Sequence, residues 1–63
     1  MTLTDREKKI LAFISKGLTN KEIAKELMIS EHTAKIHISS ILSKFKARNR
    51  AQAVFIATKQ NMF

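Results

Sequence analysis

LTNKEIAKELMISEHTAK, residues 18–35, is the stretch that decides the fold. Thr19 followed three residues later by Glu22 is a capping box, and Leu18 and Ile23 stand at the two positions of a hydrophobic staple. Ile23, Ala24 and Leu27 then line one side of a short helix expected over residues 20–28. Met28-Ile29-Ser30 interrupts it, and Ser30 is a favoured N-cap residue, so the chain restarts a helix almost at once. Two helices joined by so brief a turn make a helix-turn-helix.

Working outward, the restarted helix is expected over residues 31–45. At about 100° per residue, Ala34, Ile38, Ile41, Leu42 and Phe45 fall within one narrow arc. The opposite arc carries His32, Ile36, Ser39 and Ser43, with Lys35 on its border. Upstream, Thr4 and Glu7 form another capping box, opening a helix over residues 5–16 with Ile10, Leu11 and Ile14 on one face. Lys16 brings a cation to its last turn. Gly17 supplies a left-handed cap, with Leu18 folding back towards Phe13. Downstream, Asn49 as N-cap with Gln52 in the capping-box position starts a helix over residues 50–60. Its Ala53, Val54 and Ala57 suit a core, while Ala51, Phe55, Thr58 and Met62 form a second stripe. With no proline, one glycine and no alternating apolar pattern, the chain is expected to be all-α, a single four-helix domain over residues 1–63.

Composition narrows the function classes. There is no cysteine, hence no disulfide and no thiolate metal site, and two histidines make a poor metal set, so no cofactor is expected. No nucleophile–base set, carboxylate pair or phosphate-cradling glycine loop is visible, and Asp5 and Glu7 are accounted for as helix-start residues; an enzyme is not expected. No apolar run approaches the roughly 18 residues of a membrane span, and the N-terminus lacks a signal-peptide pattern, which points to a cytoplasmic protein. The net charge is +7, unevenly placed. Residues 1–31 hold six bases and five acids; residues 32–63 hold Lys35, Lys44, Lys46, Arg48, Arg50 and Lys59 and no acid. Such asymmetry suits a polyanion, since lysine and arginine displace condensed counterions from phosphates; by itself it is equally a solvated surface.

Residues Leu3 to Ala57 carry a resemblance. Leu3-Thr4-Asp5-Arg6-Glu7, Gly17-Leu18-Thr19-Asn20-Lys21-Glu22-Ile23-Ala24, Leu27, Ile29-Ser30, Thr33, Lys35, His37, Ile41-Leu42, Lys44, Asn49-Arg50 and Ala53-Val54 stand in the order and spacing of a known family. The chain resembles the LuxR/FixJ-type helix-turn-helix domain, and among its members the output domains of response regulators of the nitrate/nitrite-regulator type. The resemblance implies a bacterial two-component setting and sequence-specific binding of double-stranded DNA. It implies a homodimer through the fourth helix, and a receiver or ligand-sensing domain elsewhere in the full-length protein. Three positions depart from the family: Ala34 where valine is usual, Phe45 where leucine is common, and Lys46 at a linker site often held by glycine or asparagine. Ala34 is expected to meet Ile29 across the turn with fewer methyl contacts, and Phe45 to supply volume in return.

The resemblance places Lys35 in the major groove, where lysine donates to guanine O6 and N7. It places Ile36 against a thymine methyl, although single exposed apolar residues are also ordinary surface. Ser39 and His32 share the same arc as further base-contact candidates. Thr19, Asn20, Lys21, Thr33 and Lys44 are candidates for phosphate contact, which sets register without reading sequence; for each, a capping or merely exposed role is the plain alternative. His37 lies off the groove arc and is expected to be packed or bonded to backbone. Arg50 is expected to pair with an acid such as Glu22. Ala51, Phe55 and Thr58 are expected at a dimer contact, unless Phe55 instead closes the core under the first helix. Two other functions fit parts of the pattern. A sigma-factor-like region has a similar helix-turn-helix, but the apolar stripe on the fourth helix argues against it. A basic module binding acidic proteins or anionic lipid surfaces is disfavoured by the capped, interrupted helices.

Overall fold

The computed structural model describes residues 3–61, and all of their regular structure is helical. Helix α1 runs Asp5–Ser15, α2 Asn20–Leu27, α3 Glu31–Phe45 and α4 Arg50–Lys59. Each starts on a side-chain cap foreseen in the sequence. Thr4 Oγ1 accepts from Glu7 N at 3.1 Å, Thr19 Oγ1 from Glu22 N at 3.2 Å, Ser30 Oγ from Thr33 N at 3.0 Å and Asn49 Oδ1 from Gln52 N at 2.8 Å. The first two are full capping boxes, with Glu7 and Glu22 accepting from the backbone of Thr4 and Thr19. The fourth is not: Gln52 Oε1 accepts from Arg48 N, one residue before the cap.

Three helices end one residue earlier than the sequence suggested, because the expected last residue has turned out of the helix to serve as cap. Lys16 and Gln60 hold capping conformations after α1 and α4, and Lys16 is therefore outside the last turn. Met28 is left-handed, at φ 57° and ψ 43°. The ends of α1, α2 and α3 are closed by the same six-residue bond: Leu18 N to Phe13 O at 3.1 Å, Ile29 N to Ala24 O at 3.0 Å and Ala47 N to Leu42 O at 2.8 Å. This closure needs a residue at positive φ. Gly17 fills that role after α1 at φ 87°, but Met28 and Lys46 fill it after α2 and α3 at φ 57° and 54°. Lys46 thus keeps the conformation that glycine or asparagine would adopt without strain.

The core is the meeting of Leu3, ahead of α1, with the four apolar faces: Ile10, Leu11 and Ile14, then Ile23 and Ala24, then Ala34, Ile38, Ile41 and Phe45, then Ala53 and Ala57. Leu42 and Val54, expected inside, are half-buried at its margin, as are Leu18, Leu27 and Ile29 beside the turn. Ala34 is fully buried. Helix α3 touches each of the other three, so its orientation is set from several sides. Met62 of the expected second stripe lies outside the described residues.

Candidate nucleic-acid interface

Helix α3 divides lengthwise into three strips. Ala34, Ile38, Ile41 and Phe45 are buried in the core. His32, Lys35, Ile36, Ser39 and Ser43 are exposed, and at about 100° per residue they share one continuous arc of roughly 100°. Between the two, Thr33, His37, Ser40 and Lys44 form a half-buried strip. The four base-contact candidates, His32, Lys35, Ile36 and Ser39, therefore stand together on one open face. Ile36 is 55% exposed, an apolar side chain in a polar setting, and Lys35 contributes the cation of that arc.

The phosphate-contact candidates fare differently from one another. Lys21 is exposed on the first turn of α2, beside the exposed Thr19. Thr33 is half-buried, and its Oγ1 accepts from Ser30 Oγ at 2.9 Å. Asn20 Oδ1 accepts from the Arg50 guanidinium, which also reaches Leu18 O at 3.5 Å. Arg50 thus ties the start of α4 to the start of α2 through an amide and a carbonyl. The acid expected as its partner, Glu22, is held by its own cap: the Thr19 backbone N–H and hydroxyl lower its carboxyl below the usual range.

Lys44 is already bonded within the chain. Its Nζ donates to Glu7 Oε1 at 2.6 Å, while Ser40 Oγ donates to Glu7 Oε2 at 2.8 Å and Thr4 N to Glu7 Oε1 at 2.9 Å. Glu7 is 4% exposed and Lys44 is half-buried. Burial pushes the Glu7 carboxyl up, but the hydrogen bonds from Lys44, Thr4 and Ser40 with the nearby lysine charge prevail and hold it at about 2. The expectation for Glu7 went no further than capping. Its second role had a signal in the sequence: Glu7, Ile10, Leu11 and Ile14 follow the i, i+3, i+4, i+7 pattern of one helix face, so the carboxylate belongs to the buried stripe and needs a partner. Ser40, the other member, carried no signal of its own. His37 is half-buried, off the open arc of α3.

On α4, Ala51, Phe55 and Thr58 are exposed together. Phe55 is 62% exposed, with the Lys59 ammonium 5.7 Å from its ring centre. The alternative in which Phe55 closes the core under α1 is therefore excluded; half-buried Ile56 and buried Ala57 occupy the inner side.

Among the described residues, no helix is long and apolar enough to cross a membrane. The family described as "Bacterial regulatory proteins, luxR family" matches residues 1–57. Relatives include the uncharacterized transcriptional regulatory protein YhcZ of Bacillus subtilis, 48% identical over 95% of this chain and 28% of its own length. The response regulator protein VraR of Staphylococcus aureus is 47% identical over 95% of this chain and 29% of its own. The nitrate/nitrite response regulator protein homolog of Haemophilus influenzae is 45% identical over the same shares. The chain therefore spans less than a third of these relatives. Among solved structures, the response regulator ChrA of a heme-sensing two-component system superposes with a TM-score of 0.94 at 38% identity, over 100% of this chain and 31% of that one.

Proposed function

The chain belongs to the luxR family of bacterial regulatory proteins as its helix-turn-helix DNA-binding domain, and from that premise we propose how it reads its target. Helix α3 enters the major groove of double-stranded DNA with its open face. Lys35 donates to guanine edges, Ile36 meets thymine methyls, and Ser39 and His32 complete the base contacts. Thr19, Lys21 and Thr33, with Asn20 beside the Arg50 tether, sit against phosphates on the flanks, where the N-terminus of α2 adds its free N–H groups. Lys44 is left out of that set because Glu7 holds it.

The carrying observation is the division of α3 itself. One side is fixed in the core by four buried residues, while the opposite side presents a cation, an exposed isoleucine and three further hydrogen-bonding side chains. No chemistry is performed; the function is recognition. Ala51, Phe55 and Thr58 pair two copies through α4, which sets the two reading helices about 34 Å apart, one turn of DNA. The chain works in the cytoplasm as the output part of a response regulator, joined to a receiver domain in the full-length protein. Selection of bound sequences from random duplex DNA tests this: a two-fold pair through α4 expects an inverted pair of short half-sites, and recovery of sequences with no shared motif contradicts it.

A further inference from the structure

Glu7 joins the capped start of α1 to α3. The Thr4 backbone N–H fixes the carboxylate to the start of α1, and the carboxylate then holds Ser40 by one oxygen and Lys44 by the other. Ser40 and Lys44 lie one turn apart on α3, about 6 Å along its axis, so the grip resists both sliding and rotation. The apolar contacts on the core side are less directional. A rotation of α3 by roughly 20° moves side-chain tips, about 5–6 Å from the axis, by about 2 Å. A hydrogen bond to a base edge tolerates a range of only about 0.5 Å. Packing against three helices sets the position of α3, and the directional side-chain contacts from α1 converge on one carboxylate, on the half-buried strip beside the DNA-reading arc.

We propose that Glu7 is a positioning residue for DNA reading: its carboxylate locks α3 to the cap of α1 and keeps the Lys44 ammonium off the DNA backbone, so that the open arc of α3 governs discrimination. This rests on the DNA-reading function above. Glu7→Gln suits the test because the amide oxygen still accepts and the amide NH2 donates to Ser40, so shape is kept while the counter-charge of Lys44 is removed. With the Glu7 charge removed, Lys44 is held less strongly on this side and reaches a phosphate, adding sequence-independent affinity.

The test compares binding to the selected best duplex and to a scrambled duplex of the same length, from 50 to 200 mM salt, for wild type, Glu7→Gln, Lys44→Gln and the double variant. In Glu7→Gln, discrimination falls about threefold to tenfold. Its slope of log K against log salt steepens by about 0.9, so affinity drops roughly 3.5-fold more across that range than in wild type. The double variant returns to the wild-type slope, and Lys44→Gln alone keeps it. A Glu7→Gln chain with wild-type discrimination and slope, merely less heat-stable, overturns the proposal. If Glu7→Gln does not fold, Lys44→Gln decides: a slope shallower by about 0.9 puts Lys44 on a phosphate in the wild type and also overturns it. Wild type binding both duplexes alike removes the DNA-reading function itself, whereas wild-type discrimination retained in Glu7→Gln removes the positioning role alone.

Discussion

Met28→Gly is expected to stabilise the domain. Met28 closes the end of α2 at φ 57°, inside the turn of the helix-turn-helix, and is 92% exposed. A left-handed conformation costs an L-residue about 1–2 kcal/mol, and glycine removes that cost. Glycine also gives the unfolded chain more freedom, which subtracts about 0.4–1 kcal/mol. Exposure means that little packing is lost, and no charge changes. The balance is a gain of about 0.5–1 kcal/mol, sizeable for a chain of this length, and a rise of roughly 2–8 °C in the melting temperature. Thermal and urea unfolding followed by circular dichroism at 222 nm measure it. Met28→Ala is the control, since alanine keeps the Cβ that clashes, and it should stay within about 0.5 kcal/mol of wild type. A glycine variant no more stable than the alanine variant refutes the reasoning, and shows either that the turn is relaxed differently or that the methionine side chain contributes contacts.

Lys46→Gly at φ 54° should act in the same direction, but by about 0.3 kcal/mol less, because lysine at the end of α3 also favours the helix dipole; the same melts measure the difference. Acid unfolding should report Glu7. Its carboxyl is lowered from 4.5 to about 2 in the fold, so its contribution is fully present above about pH 4.5 and is lost as the pH falls through about 2, amounting to at most about 3 kcal/mol. In Glu7→Gln the stability loss between pH 5 and 2 should be smaller by up to that amount, and parallel curves for the two proteins contradict the assignment. Phe55→Glu should leave stability within about 0.5 kcal/mol, because the ring is exposed. On a two-half-site duplex it should convert a complex of two protomers into one of a single protomer, as sedimentation or native mass measurement reads; unchanged stoichiometry argues against the α4 contact.

Capping and periodicity carried most of the fold. Thr4, Thr19, Ser30 and Asn49 each cap the helix that the sequence assigned to them, because capping depends on residues three apart and is decided locally. Helix ends were less legible. Met28 does not look like a left-handed residue, and the position is imposed by the bond from Ile29 to Ala24. The exposed arc of α3 was legible because its opposite side is apolar at helical spacing. What escaped were contacts between elements far apart in sequence. Nothing local to Lys44 shows that it is bonded to Glu7, or that Arg50 turns to Asn20 and a backbone carbonyl instead of to Glu22. Lys44 looked like a cation open to phosphate, and Arg50 was expected to pair within the chain but with the wrong partner, until the helices were packed.

The claim on which the account turns is that the open face of α3 reads base edges. The most direct measurement is the ratio of affinities for the selected site and a scrambled duplex, compared between wild type and Lys35→Ala at one fixed salt concentration. The account predicts a ratio lowered about 5- to 150-fold, corresponding to about 1–3 kcal/mol of lost base discrimination, with melting temperature nearly unchanged. An unchanged ratio, with both duplexes bound equally weakly or equally well, would contradict it.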